Sequence, residues 1–194
     1  MTRSRVIFLT TLWVLTASTH GAAHWTLNND FSQLSFVTIK SGNIAEVHKF
    51  KHLEGQLSDD GRLTITIELA SVDTLIPIRD ERMLKLLFET DFFPVATFTA
   101  NIDRAVLDGL SINTSTRMEI NGILSIRNHR INIAPKIVVT RFAEGSVLVN
   151  TLEPIIVNAK AAGLAGGVEK LREIAGLTSI SDAVPVSFVL TFND

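Results

Sequence analysis

Apolar residues recur at every second position over long stretches of this chain, and that period leaves little choice of architecture. Leu63-Thr64-Ile65-Thr66-Ile67-Glu68-Leu69 alternates throughout, and Val95 to Ile102 sets Ala96, Phe98, Ala100 and Ile102 on one face. A period of two over this length is the mark of a half-buried strand. The same alternation runs through Trp25 and Leu27, through Leu34, Phe36 and Thr38, and through Leu53, Gly55 and Leu57 in a strand expected from about Glu46. It returns in Met118, Ile120, Gly122, Leu124 and Ile126, and in Ile131, Ile133, Pro135, Ile137 and Val139. Val147 and Val149 precede Ile155 and Val157, and Val184, Val186, Phe188, Leu190 and Phe192 close the chain. Turns such as Ser58-Asp59-Asp60-Gly61 and Arg127-Asn128-His129 suit antiparallel hairpins. Several strands read as ten residues or so, which reach roughly 33 Å. Long, twisted antiparallel strands coil and close on themselves, and eight of them enclose either packed side chains or one small ligand. The expected fold is therefore mainly β: an antiparallel barrel of about eight strands. Pro135 marks an edge, a bulge or a strand end.

Two segments break the pattern. Ser71 to Pro94 is polar at its start and apolar at its end, as expected of a short helix and lid over one end of a β-structure. Near the C-terminus Leu164, Val168, Leu171 and Ala175 recur at helical spacing opposite Glu169, Lys170, Arg172 and Glu173. Gly176 suits the left-handed residue that ends a helix, so an amphipathic helix is expected over residues 166–175. Two short helices are thus expected to cover an end.

The first 23 residues read as a secretory signal. Arg3 and Arg5 precede an apolar run from Val6 to Ala17, and Gly21-Ala22-Ala23 offers small residues for cleavage before His24. The apolar run is too short to span a bilayer. One domain is expected over residues 24–194. Removing Arg3 and Arg5 leaves 16 basic against 20 acidic residues, which argues against nucleic acid as a partner. The chain has no cysteine, so neither disulfides nor thiolate metal sites can form.

Ser71-Val72-Asp73-Thr74, Arg79-Asp80, Phe93-Pro94 and Ala96-Thr97-Phe98 resemble the signature of the YceI-like polyisoprenoid-binding family, over nearly all of the chain after residue 24. The resemblance implies a secreted or periplasmic lipocalin-like barrel that holds an isoprenoid chain. It implies an apolar lining from the inward set Phe36, Leu63, Ile65, Ile67, Leu69, Phe98, Ile120, Leu124, Ile133, Ile137, Phe188 and Leu190. Periodicity alone would make the same set a packed core. The polar candidates for a ligand head are Asp73, Thr74, Arg79 and Asp80. Arg79 offers a planar fork that suits oxygen ligands. Alternatively, Asp73 and Thr74 cap a turn and Arg79-Asp80 is solvated charge at a helix start.

Other chemistry finds little support. His48 and His52 on one strand would share a side yet stand about 13 Å apart, too far for one metal ion. No metal or other cofactor is expected beyond the lipid itself. Neither G-x-S-x-G, H-E-x-x-H nor a P-loop occurs, so no enzyme is expected. The leading expectation is non-enzymatic transport or storage of a long isoprenoid lipid, a quinone or polyprenol, in the periplasm, with transient membrane contact for exchange. The alternative is a solidly packed barrel acting as a stress-related interaction module.

Overall fold

The computed structural model describes residues 25–194; the export-signal expectation for residues 1–23 lies outside them. Fourteen strands form one antiparallel sheet. In chain order β1 is Trp25–Leu27, β2 Gln33–Lys40, β3 Ile44–Phe50, β4 Leu53–Leu57 and β5 Arg62–Glu68. β6 is Val72–Asp73 and β7 Val95–Asn101, then come β8 Thr114–Glu119, β9 Gly122–Ile126 and β10 His129–Ile133. β11 is Lys136–Ala143, β12 Ser146–Thr151, β13 Ile155–Asn158 and β14 Ala183–Asn193. The helical parts are α1 (Pro77–Arg82), which runs directly into a π-helical stretch at Met83–Phe88, α2 (Arg104–Asp108) and α3 (Ala165–Ile174).

This corrects the expected eight-stranded barrel. There are fourteen strands, and the hydrogen-bonded order β10-β9-β7-β5-β4-β1-β14-β12-β11-β8 is open at β10 and β8. The count rises because the long alternating runs are kinked, and each kink has a cause. The run expected from Glu46 to Leu57 breaks at Lys51-His52, whose backbone N–H groups both donate to Ser71 Oγ, at 3.2 and 3.1 Å, the Lys51 N–H being shared with the Ser71 carbonyl at 3.1 Å. Inward positions are His48 and Phe50 before the break but Leu53, Gly55 and Leu57 after it. His48 and His52 therefore do not share a side: His48 is buried, and His52 is exposed and paired with Glu68 at 2.8 Å. A one-residue slip flips the face of every later side chain. Pro135, which lacks an N–H, falls between β10 and β11, at a strand end as expected. Opposite it, β8 and β9 part at Ile120-Asn121, and Ile120 N–H donates to the Pro135 carbonyl at 3.1 Å.

The turns follow the sequence closely. Gly61, at φ +84°, donates to the Ser58 carbonyl and joins β4 to β5. Arg127-Asn128 joins β9 to β10, with Arg127 at φ +51°. β14 runs unbroken for 11 residues and pairs with β1, β2, β12 and β13. α3 falls within a residue of the expected span, and Gly176 takes φ +64° just after it. The unforeseen helix is α2, capped by Asp103 through the Ala105 N–H, which lays buried Leu107 under one end of the sheet.

Candidate functional site: an apolar cavity with one polar end

The inward faces of the sheet do not meet. They enclose a cavity of about 500 Å³, within the usual range for small-molecule pockets. Every member of the expected apolar set lines it except Leu69. Leu69 is 1% exposed, but it lies in the 3-10 turn after β5, where the chain leaves the wall to enter the lid. Phe98 shows how the wall is shaped. Its ring lies over Gly122 on β9, so close that a Cβ there would stand 2.3 Å from two ring carbons. Only glycine leaves room for that ring beside the cavity.

One end is sealed by buried Trp25, Leu57, Ile102 and Leu107. The other is covered by the lid and α3. Met83, Leu87 and Phe88 of the π-helical stretch face the cavity, and so do Leu164, Val168, Leu171 and Ala175 of the α3 region. The two pieces pack closely because Gly167 lets α3 approach the chain; a Cβ there would lie 2.5 Å from the Leu86 carbonyl oxygen. Arg127 pins the lid to the wall. It bonds Glu89 at 2.8 Å and the Gly163 carbonyl at 3.1 Å, and its guanidinium lies 5.4 Å from the Phe93 ring centre.

Polar side chains gather at the lidded end. Thr38 and Lys40 of β2, Glu46 and His48 of β3, and Arg79 and Arg82 of α1 line the cavity there. Glu46 holds both Lys40 Nζ at 2.8 Å and Arg79 Nη1 at 2.6 Å. The hydrogen bond from Lys40, reinforced by Arg79, keeps the Glu46 carboxyl below the usual carboxylate range. Arg79 also donates to the Thr74 carbonyl at 2.7 Å, which ties α1 to the strand before it. His48, 3% exposed, shares a 2.9 Å hydrogen bond between Nε2 and Thr38 Oγ1. Burial, with the Arg79 charge adding to it, pushes the His48 pKa down, so the ring is neutral at neutral pH. His48 Nδ1 and Arg79 Nε have no hydrogen-bond partner among the described residues.

Of the four polar candidates, only Arg79 therefore reaches the cavity. Asp73 is corrected to the outer face: it accepts from the Leu75 N–H at 3.0 Å and sits 3.3 Å from Lys51 Nζ. Those contacts lower its pKa, the Leu75 backbone bond most of all. Thr74 and Asp80 are corrected to a lid-building pair. Asp80 Oδ1 accepts from the Thr74 N–H at 2.9 Å and from its hydroxyl at 2.5 Å, which fixes the turn into α1. Leu75 in that turn adopts φ +62°, a left-handed conformation that costs a non-glycine residue energy and that the surrounding bonds hold in place. The residue that sequence reasoning passed over is His48. The signal was present: Glu46, His48 and Phe50 alternate onto the inward face of a strand.

An antiparallel β-structure built round an apolar cavity, with polar groups gathered at one lidded end, defines the class of fold. The family follows from comparison. The YceI-like domain matches residues 25–192, and the chain belongs to that family. A polyisoprenoid binding domain from Saccharophagus degradans is 33% identical, with a TM-score of 0.86, over 89% of this chain and 99% of that one. BcnA of Burkholderia cenocepacia, at 19% identity and TM-score 0.66, covers 85% of this chain and 98% of its own. A YceI protein of Campylobacter jejuni, at 17% and 0.53, covers 76% and 84%; these last two show the fold alone. No curated protein matches the chain.

Proposed function

We propose that this protein binds a long-chain isoprenoid lipid in its interior and carries or stores it without chemical change. The cavity is the observation that supports this most: about 500 Å³ bounded almost wholly by aliphatic and phenylalanine side chains. A packed interior leaves few voids larger than a water molecule, so an interaction module with a solid core is the weaker reading. The S. degradans domain, a polyisoprenoid binding domain at 33% identity, adds support. Across the kinks, β1 with β2, β3 with β4, β8 with β9, β10 with β11 and β12 with β13 each make one pass of the chain. With β5, β7 and β14 that gives eight passes, each beside the next and the last beside the first. We read this arrangement as a lipocalin-like barrel. Export to the periplasm, with cleavage before His24, completes the proposal.

The test is native mass spectrometry together with organic extraction of protein purified from its own source. A bound isoprenoid released on denaturation supports the proposal. A well-folded protein that holds and takes up no lipid would sink it.

A further inference from the structure

The start of the lid leaves an apolar shoulder on the outside of the molecule. β6 pairs with β3 only at Lys49↔Asp73 and Phe50↔Val72, so toward Ile44 that edge of β3 has no strand partner among the described residues. Were the register to run on, Leu75 would stand opposite Val47, two residues further along each strand. Both are exposed, at 82% and 68%. The chain then turns into α1, and Ile76, Pro77 and Ile78 are exposed as well. Arg79, the next residue, bonds Glu46 at 2.6 Å, which places Ile78 near the start of β3, where Ile44 is exposed. Ile44, Val47, Leu75, Ile76 and Ile78 thus lie together rather than singly. Leu75 also takes φ +62°, where glycine or asparagine would sit at less cost. The position carries an exposed leucine instead, and contiguous apolar surface rimmed by charge marks an interaction site.

Charge and position say what the shoulder meets. Two carboxylates there are each shared by two cations. Asp73 lies 3.9 Å from Lys49 and 3.3 Å from Lys51, and Glu46 bonds both Lys40 and Arg79. The remaining charges of α1 and the π-helical stretch cancel, Asp80 and Glu81 against Arg82 and Lys85. The region is left at +2, on a chain whose residues 24–194 carry 16 basic against 20 acidic side chains, a net of −4. The cavity opens beside it. Lys40 lines the cavity and bridges to Ile180, and Ala175, at the end of α3, lines it while exposed. Stable protein interfaces take about 20–30 residues a side and favour aromatic side chains. The shoulder offers five aliphatic side chains and no aromatic one, which suits shallow insertion among acyl chains beneath basic groups.

Resting on the lipid-binding reading above, we infer that this shoulder is a docking surface for an anionic lipid bilayer. Ile44, Val47, Leu75, Ile76 and Ile78 enter the boundary between headgroups and acyl chains, and Lys49 and Lys51 beside them meet lipid phosphates. Docking in this pose brings the mouth at Lys40 and Ala175 to the membrane. An isoprenoid then passes between bilayer and cavity without exposing its tail to water, which costs about 0.8 kcal/mol per CH₂.

The experiment is flotation of the mature chain with vesicles of phosphatidylcholine, alone or mixed in equal parts with phosphatidylglycerol. The wild type should bind the mixed vesicles more tightly, and less so as salt is added. Leu75→Asn/Ile78→Gln keeps the fold, because both positions are exposed and asparagine accepts the left-handed turn. It should weaken binding to the mixed vesicles about tenfold or more. Lys49→Gln/Lys51→Gln should weaken that binding about tenfold and leave binding to phosphatidylcholine unchanged. Transfer of a fluorescent isoprenoid from the mixed vesicles should slow in both variants, while its uptake from detergent micelles stays at the wild-type level. Vesicle binding that neither variant weakens, or none at all with micelle uptake intact, would overturn docking and leave lipid binding standing. A dimer in sedimentation that Leu75→Asn/Ile78→Gln dissolves would assign the shoulder to a second copy of the chain and overturn docking as well. Loss of uptake from micelles by the wild type would instead overturn the lipid-binding reading on which docking rests.

Discussion

Filling the cavity from its wall gives opposite signs under the two readings of the interior. Ala96 on β7 is buried, lines the cavity, and sits between Ile67 and Ile126 on the neighbouring strands. Ala96→Ile adds three carbons at a strand position that suits a β-branched residue. If those carbons enter open cavity, they leave water on folding and contribute about 0.8 kcal/mol each. Ordering the side chain costs about 0.5–1 kcal/mol. The lipid-free protein should then gain about 1.5 kcal/mol, a rise of roughly 0.5–1.5 M in the urea midpoint at m-values of 1–3 kcal/mol/M. The same carbons occupy space the lipid tail needs, so lipid uptake should fall as stability rises. Were the interior already packed, the added volume would cost about 1–3 kcal/mol instead. The assay is urea unfolding of delipidated protein followed by circular dichroism, with uptake of a fluorescent isoprenoid measured in parallel. A lower midpoint for Ala96→Ile would refute the cavity as a binding space.

Four further outcomes are expected. Affinity across ligands sharing one head should climb with isoprene number, because burial contributes about 0.8 kcal/mol per CH₂ and a head hydrogen bond about 1 kcal/mol; a flat series by titration calorimetry would contradict this. His48, facing Thr38, Lys40, Glu46, Arg79 and Asp80, has a folded pKa below its unfolded value, so stability should fall as pH drops below about 6.5, the unfolded value. In His48→Phe that part of the urea-midpoint slope should vanish. Gly122→Ala should destabilise by about 1–3 kcal/mol in thermal unfolding, because its Cβ meets the Phe98 ring, and Phe98→Leu in the same chain should recover part of the loss. N-terminal sequencing of the exported protein should begin near His24, and an intact residue 1 would refute the cleavage.

The walls of the molecule were legible because period two is a local signal. Phe36, Ile65, Phe98 and Phe188 point where alternation puts them, and all four line the cavity. The α3 helix was legible for the same reason at its own period, and Gly176 marks its end. The kinks were not, apart from Pro135. What interrupts β3 and β4 is Ser71, some twenty residues away, accepting the backbone N–H groups of Lys51 and His52. No window centred on residues 46–57 contains that information. Fourteen strands in place of about eight is the result.

The same break decides the chemistry of the lidded end. Because the phase of the chain slips at Lys51-His52, the strand before it can carry Glu46, His48 and Phe50 inward while the strand after it carries Leu53 and Leu57 inward. Without the slip, either His48 would face solvent or Leu53 would. Ser71 thus lets one pass of the chain be polar inside at its lidded end and apolar inside at its sealed end. Its own place is fixed by its hydroxyl, which donates to the Glu68 carbonyl at 2.6 Å in the turn that leads into the lid. The residues that open the lid segment therefore also aim the polar groups beneath it. Asp73, Thr74 and Asp80 belong to this scaffold: they shape the turn into α1, and α1 presents Arg79 to Glu46. A sequence motif rich in polar residues can be read as a binding site when most of it is the frame. Here the frame is Ser71 to Asp80, and the groups it delivers to the cavity are His48 and Arg79.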